Sequence, residues 1–256
     1  MANVNYFKYR YDKFIEFNLK EKSHLSIIGN SNDFFINTLL SQHEKCNVFV
    51  GDKELNEENI KTIRKRMAIV LNKHLNIFVG ETVKDEIAFG LESLAYKKNE
   101  IAEIIESQAK IFKLTDLLEK DPNSLGSSDK VKMKILSALV IGPKIIVLDN
   151  ILSELDYKDK ILIFDVLDEY KNNGGIIINV TNDIEETLNS DRIIILHDNA
   201  LVCDGKTLSV LNEEKILKRL GVGIPFIVEL NKYFMDYGMI NKYYLSNERL
   251  VNALWK

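Results

Sequence analysis

Short apolar runs of strand length recur along this chain and alternate with segments whose apolar residues repeat at helical spacing. That alternation constrains the fold more than any other feature. The runs are "LSIIG", "CNVFVG", "MAIVL", "KIIVLDN", "GIIINV", "RIIILHD" and "ALVCDG". The first three suit strands covered on both faces. At the amino end, "VNYFKYRY" and "FIEFNL" read as strands joined by a tight turn at Asp12 and Lys13. "NEENIKTIRKR" opens with an Asn cap and early acids, which predicts a helix. From about 84 to 142 the pattern is helical: Ile101, Ile104, Ile105 and Phe112 share one face, and Val131, Ile135, Ala138 and Leu139 another. Leu162, Ile163, Val166 and Leu167 line a further helix, followed by the last strands. The tail after Gly221 is again helical, with one stripe at Ile227, Leu230 and Phe234 and another at Leu250, Val251 and Leu254. The expected architecture is a mixed α/β domain with a helical insertion.

Composition narrows the function classes. A chain of 256 residues, 28% charged and 46% hydrophobic, buries a sizeable core. Its net charge of -4 and lack of a dense basic run argue against nucleic acid as a partner. No apolar run reaches the roughly 18 residues of a spanning helix, and "MANVNYFKYR" lacks the apolar core of a signal peptide. Cys46 and Cys203 form no metal-type pair and suit a reducing cytoplasm. His24, His43, His74 and His197 are scattered without ligand spacing, so no metal site is expected.

The stretch "HLSIIGNSNDFFINTLL" has the strand, glycine, helix order of a phosphate cradle. The Walker A pattern asks for Gly, four residues, then Gly, Lys and Ser or Thr. Here Gly29 is followed by Asn30, Ser31, Asn32 and Asp33, and Phe34, Phe35 and Ile36 stand where Gly, Lys and Ser/Thr belong. Further on, "KIIVLDN" ends in Asp149 and Asn150. An acid at the carboxyl end of a core strand is common in α/β proteins; it is also the Walker B arrangement, where the aspartate holds Mg²⁺ and the next residue, normally Glu, polarises water.

The order of the segments extends the pattern. "LGSSDKVKMKILSALVIGPKIIVLD" resembles the signature run, helix and Walker B strand of ATP-binding cassettes. "NILSELD" follows as the D-loop would, and "INVTND" places Asn182 at the switch histidine. "AIVLNKHLNIFVGETVKDEIAFGLESL" resembles the Q-loop and its sequel, with Asn72 for Gln, and Tyr11 stands where the family sets an aromatic against adenine. "FVGETVKDEIAFGLE" and the tail "LGVGIPFIVELNKYFMDYG" with "NERLVNALWK" are similar to the ATPase subunits of energy-coupling-factor (ECF) transporters, which take up vitamins and metal ions.

The resemblance implies a P-loop ABC-cassette fold of the α/β class, with an antiparallel β subdomain, a helical subdomain over about 84–142, a cassette over 1–220 and a helical dimerisation extension over 221–256. It implies ATP and Mg²⁺ as ligands, a paralogous ATPase subunit as partner, and membrane-embedded coupling and substrate-binding subunits at the cytoplasmic face of the plasma membrane. It also makes the replacements informative. Glycines let backbone N–H groups close on phosphate, Lys supplies charge and Ser/Thr binds Mg²⁺. A Lys–phosphate pair at about 4 Å and an effective dielectric near ~20 is worth about 4 kcal/mol, roughly two or more powers of ten in affinity. Asp33 adds repulsion and is expected to cap the helix by accepting from the Phe35 or Ile36 amide. Asn150, Asn182 and Asn72 replace the base, the γ-phosphate contact and the water-positioning group. Asp149 and Tyr11 are the residues expected to serve Mg-ATP if any do.

In the signature, Leu125, Gly126, Ser127, Ser128 and Asp129, the two serines are expected to face a phosphate bound by a partner, with Asp129 opposing it. Glu81, Asp85 and Glu86 flank the groove for basic coupling helices, or form a solvated first helical turn. The reading that follows is a coupling subunit with a weak or inactive ATP site of its own. A conventional ATP-hydrolysing subunit, and a regulatory or scaffold protein outside any transporter, remain as alternatives.

Overall fold

The computed structural model describes residues 6–41 and 45–255; the first residues of the opening run, His43 and Lys256 lie outside them. The elements run β1 (Phe7–Tyr11), β2 (Ile15–Leu19), β3 (Ser23–Gly29), α1 (Asn32–Ser41), β4 (Cys46–Val50), β5 (Lys53–Glu54), α2 (Ile60–Arg64) and β6 (Met67–Leu71). The helical stretch holds α3 (Val83–Ser93), α4 (Lys98–Ile111) and α5 (Ser127–Leu139). Then come β7 (Ile145–Asp149), α6 (Tyr157–Asn172), β8 (Ile176–Val180), β9 (Arg192–His197) and β10 (Ala200–Lys206). Four helices close the chain: α7 (Thr207–Leu211), α8 (Glu214–Leu220), α9 (Phe226–Asp236) and α10 (Asn247–Leu254).

Two sheets form. The larger has the order β10-β9-β3-β8-β7-β6 and the smaller β2-β1-β4-β5. In the large sheet β9, β3, β8, β7 and β6 run parallel, and only β10 is antiparallel to its neighbour. Its central strands are apolar on both faces, as a sheet sandwiched between layers requires: every residue of β8 is buried.

"CNVFVG" departs from the expectation of a strand covered on both faces. It forms β4, antiparallel to β1, and alternates between buried and partly exposed positions because the small sheet covers the core with one face only. "NEENIKTIRKR" also departs: its helix is confined to Ile60–Arg64, because Asn56 Oδ1 accepts from the Asn59 amide and closes a turn first. In α10, Leu250 is buried while Val251 faces outward, so the two do not share one covered stripe.

Among the described residues the core has three clusters. One joins the small sheet, α1 and one face of the large sheet. A second packs the helical stretch and α6 on the opposite face. The third seats α7 to α10 against β9. Gly29 ends β3 at φ +124°, and a Cβ there would lie 1.9 Å from the Leu196 carbonyl oxygen of the neighbouring strand. Glycine is thus required by strand packing alone.

Candidate functional site

A cleft of about 250 Å³ opens at the carboxyl ends of β3, β6, β7 and β8, lined by Asn32, Asp33, Ile36, Asn37, Asn72, Lys73, Asp149, Asn150 and Asn182. Ligands of open α/β sheets bind at this edge. The sheet topology therefore gathers residues that lie far apart in sequence. Lys73 and Asn37 were not singled out by motif; Lys73 simply follows Asn72, and Asn37 lies one turn beyond Asp33 in α1.

Asparagine amides stitch the cleft together. Asn72 Nδ2 donates to the Asn150 carbonyl at 2.8 Å. Asn150 Oδ1 accepts from the Asn182 amide at 3.2 Å, and Asn182 Oδ1 accepts from Asn32 Nδ2 at 2.9 Å. Asn32 Nδ2 also reaches the Thr181 carbonyl at 2.9 Å. Asn150 sits at φ +47°, where asparagine is tolerated better than glutamate. Its amide donates to the Val180 carbonyl at 2.7 Å, fixing this turn against β8.

The turn after Gly29 is held from the other side. Asp198 and Asn199 both have positive φ, as a two-residue hairpin turn requires. The Asp198 amide donates to Asn30 Oδ1 at 2.8 Å, Asn30 Nδ2 donates to Asp198 Oδ1 at 3.0 Å, and the Asn199 amide donates to Ser31 Oγ at 2.9 Å.

Helix α1 begins at Asn32, so Asp33 lies inside its first turn, and the Phe35 amide donates to the Ser31 carbonyl at 3.1 Å. Among the described residues the Asp33 carboxylate makes no hydrogen bond to the Phe35 or Ile36 amide, and the expected cap is corrected accordingly. Asp33 is exposed and its charge faces Asp149. Burial first, and then Asp33, raise the pKa of the Asp149 carboxyl, against the pull of Lys73.

The aromatic residues at the Walker positions pack inward. Phe34 meets Tyr11 edge to face at 4.7 Å between ring centroids. Phe35 is fully buried, 4.9 Å from Tyr9 and 6.1 Å from Phe17. Ile36 is buried in the same cluster. Tyr9 donates to or accepts from Thr38 Oγ1 at 2.6 Å, which ties α1 to the small sheet.

The Leu125–Asp129 run lies at the start of α5, away from this cleft. Leu125 is buried and Gly126 precedes the first helical residue. Both serines donate within the chain: Ser127 Oγ to the Glu154 carbonyl at 3.3 Å, and Ser128 Oγ to Asp159 Oδ2 at 2.6 Å. Lys132, almost wholly buried, bridges Asp129 at 2.8 Å and Asp159 at 3.0 Å. Burial opposes the Lys132 charge, yet the two carboxylates raise its pKa. Asp129 is thereby paired within its own helix.

Of the acids expected around the coupling groove or on a solvated first helical turn, Glu81 and Asp85 line a cavity there and Glu86 does not. Asp85 closes a capping box with Thr82, and Glu86 turns inward to accept from the Val79 and Gly80 amides. A cavity of about 280 Å³ is lined by Val79, Gly80, Glu81, Asp85, Phe89 and Glu92.

Comparison with known proteins shows the family. A sequence model of the ABC transporter family matches residues 13–153. The chain belongs to that family. It is 31% identical over 222 residues to the energy-coupling factor transporter ATP-binding protein of Mycoplasma pneumoniae, covering 85% of this chain and 81% of the relative. It is 30% identical over 225 residues to the protein of that name from Lactobacillus delbrueckii subsp. bulgaricus, covering 86% and 80%. Among solved structures, cbiO1 from Clostridium perfringens, part of the ABC transporter complex cbiONQ, aligns with a TM-score of 0.71 at 19% identity over 89% of this chain and 99% of that one. The cassette fold is shared, and no helix among the described residues is long and apolar enough to cross a membrane. Among the described residues no group of three or more His, Cys, Asp or Glu is placed to hold a metal.

Proposed function

We propose that this chain is a coupling subunit of an ECF-type importer whose own nucleotide site is degenerate and weakly active or inactive, with ATP hydrolysis located mainly or wholly at a paralogous partner subunit. One observation carries the reading: the residue in the place of the phosphate-binding lysine, Phe35, is fully buried in an aromatic core. The residues present do not fit a triphosphate. Phe34 and Tyr11 touch each other across the space between phosphate loop and base site, and the cleft offers Lys73 against Asp33 and Asp149. Asn150 and Asn182 carry no group that accepts a proton from water at neutral pH, and each is engaged in the amide network.

In this reading the helical segment of α3 to α5 receives a membrane-embedded coupling subunit, which works with a substrate-binding membrane subunit. Helices α9 and α10 form the subunit contact over 221–256, and the assembly places the chain at the cytoplasmic face of the plasma membrane. The exposed aromatics Phe226, Tyr233, Tyr237 and Trp255 support a contact role for this end.

The test is direct. The isolated chain is titrated with Mg-ATP, and the purified subunit pair is assayed for ATPase activity with the partner's catalytic glutamate removed. Millimolar or weaker binding and background turnover are expected. Sub-millimolar, Mg²⁺-dependent affinity, or clear residual turnover, overturns the reading in favour of a conventional ATPase subunit.

A further inference from the structure

The loop between the Q-loop turn and α3 is fastened to helix α5 by a compact set of contacts. Glu86, on the first turn of α3, accepts from the Val79 amide at 2.7 Å and the Gly80 amide at 3.0 Å through Oε2. Its Oε1 accepts from Lys134 Nζ of α5 at 2.7 Å. Lys134 Nζ also donates to the Ile77 carbonyl at 2.5 Å and lies 4.6 Å from the centroid of the Phe78 ring. One turn earlier on α5, Lys130 Nζ donates to Asn76 Oδ1 at 2.9 Å. The Glu86 and Lys134 side chains are only 9% and 17% exposed. This separates the pair from surface ion pairs of little worth.

The fastened loop is the rim of the groove cavity. Val79 and Phe89 line it and are exposed, and Ile77, two residues before Val79, is exposed as well. Helix α5 starts at the signature run, whereas Asn72, at the Q position, spends its amide on the Asn150 carbonyl. The rim therefore has a stiff polar connection to the signature helix.

We infer that Glu86, Lys134 and Phe78 form a latch that passes displacement of the groove rim to the signature helix, bypassing the chain's own phosphate loop. Glu86 and Lys134 are positioning residues: they set where Ile77 and Val79 stand relative to α5. Transmission rests on the transporter reading above; the latch itself does not.

The experiment is amide hydrogen exchange in the full chain carrying Lys134→Met, with Lys134→Arg as the conservative variant. Val79 and Gly80 amides are expected to exchange about tenfold faster in Lys134→Met, with Lys134→Arg recovering most of the protection and the α3 core amides unchanged. Exchange at Val79 and Gly80 within about twofold of wild type overturns the latch. In the assembled transporter, Lys134→Met is expected to cut solute uptake about tenfold while ATP hydrolysis by the complex stays within about threefold. Equal loss of both, or loss of neither, overturns transmission. A wild-type chain that joins no membrane complex overturns the transporter reading and transmission with it, while the exchange result still decides the latch.

Discussion

Asn32 Nδ2 donates to Asn182 Oδ1 at 2.9 Å, so the first residue of α1 is bonded to the side chain standing at the switch histidine. The start of α1 and the residue after β8 and Thr181 are thus joined side chain to side chain, and the consequences can be measured.

On the proposed reading, lysine placed at position 35 should harm the fold and give no nucleotide binding. Phe35 has no exposed surface and packs on Tyr9 and Phe17. Phe35→Lys removes an aromatic ring from the core and places an unpaired charge there, at a cost of about 3 kcal/mol or more. Urea denaturation should show the loss, and titration with Mg-ATP should show no gain over wild type.

Gly29→Ala should be severely destabilising in the absence of any nucleotide. The new Cβ lies 1.9 Å from the Leu196 carbonyl oxygen, at a φ that alanine avoids. A loss of about 3 kcal/mol or more is expected. A near-neutral result would mean that β3 and β9 separate easily at this end.

Asn150 combines a left-handed backbone with a side-chain bond to the Asn182 amide. Asn150→Gly and Asn150→Ala both lose the bond, but only glycine keeps the backbone free of strain. Asn150→Ala should therefore be the less stable by about 1 kcal/mol, read from paired denaturation curves.

His24 provides a pH dependence. It is buried in β3, its Nε2 has no hydrogen-bond partner among the described residues, and its amide donates to Asp191. Burial lowers its pKa from 6.5 to about 4, against the pull of Asp191 and with a smaller contribution from Lys171. The unfolded chain takes up a proton near pH 6.5 that the folded chain refuses until about pH 4. The stability associated with neutral His24 is complete above the higher value and falls as pH drops towards the lower, by about 3 kcal/mol in all. Denaturation midpoints measured across that window should show this slope, and His24→Leu should flatten it.

The α/β framework was legible because strand runs such as "KIIVLD" and "GIIINV" are apolar throughout, and because a buried parallel strand has few other readings. The gathering of Asp149, Asn150, Asn182 and Asn72 in one cleft was what the resemblance to ATP-binding cassettes implied. What those residues bond to was not legible. An asparagine offers both donor and acceptor, and sequence gives no sign of which partner it takes. The same holds for the signature. Ser128 and Asp129 looked outward-facing by motif, whereas Asp159 and Lys132, distant or unremarked in sequence, claim them. Asp33 failed as a cap because the helix begins one residue earlier, at Asn32. Glu86 was read as a groove acid or as part of a solvated first helical turn, though its spacing to Val79 and Gly80 allows it to reach back to their amides.

The amide network has a consequence for how the cleft gives way. A change of side chain at 150 alters the bond to the 182 amide, and a change at 182 takes one of the two acceptors of Asn32 Nδ2 while the Thr181 carbonyl keeps the other. Because neighbouring links share members, damage at one asparagine spreads to the next, and the cleft slackens as a unit.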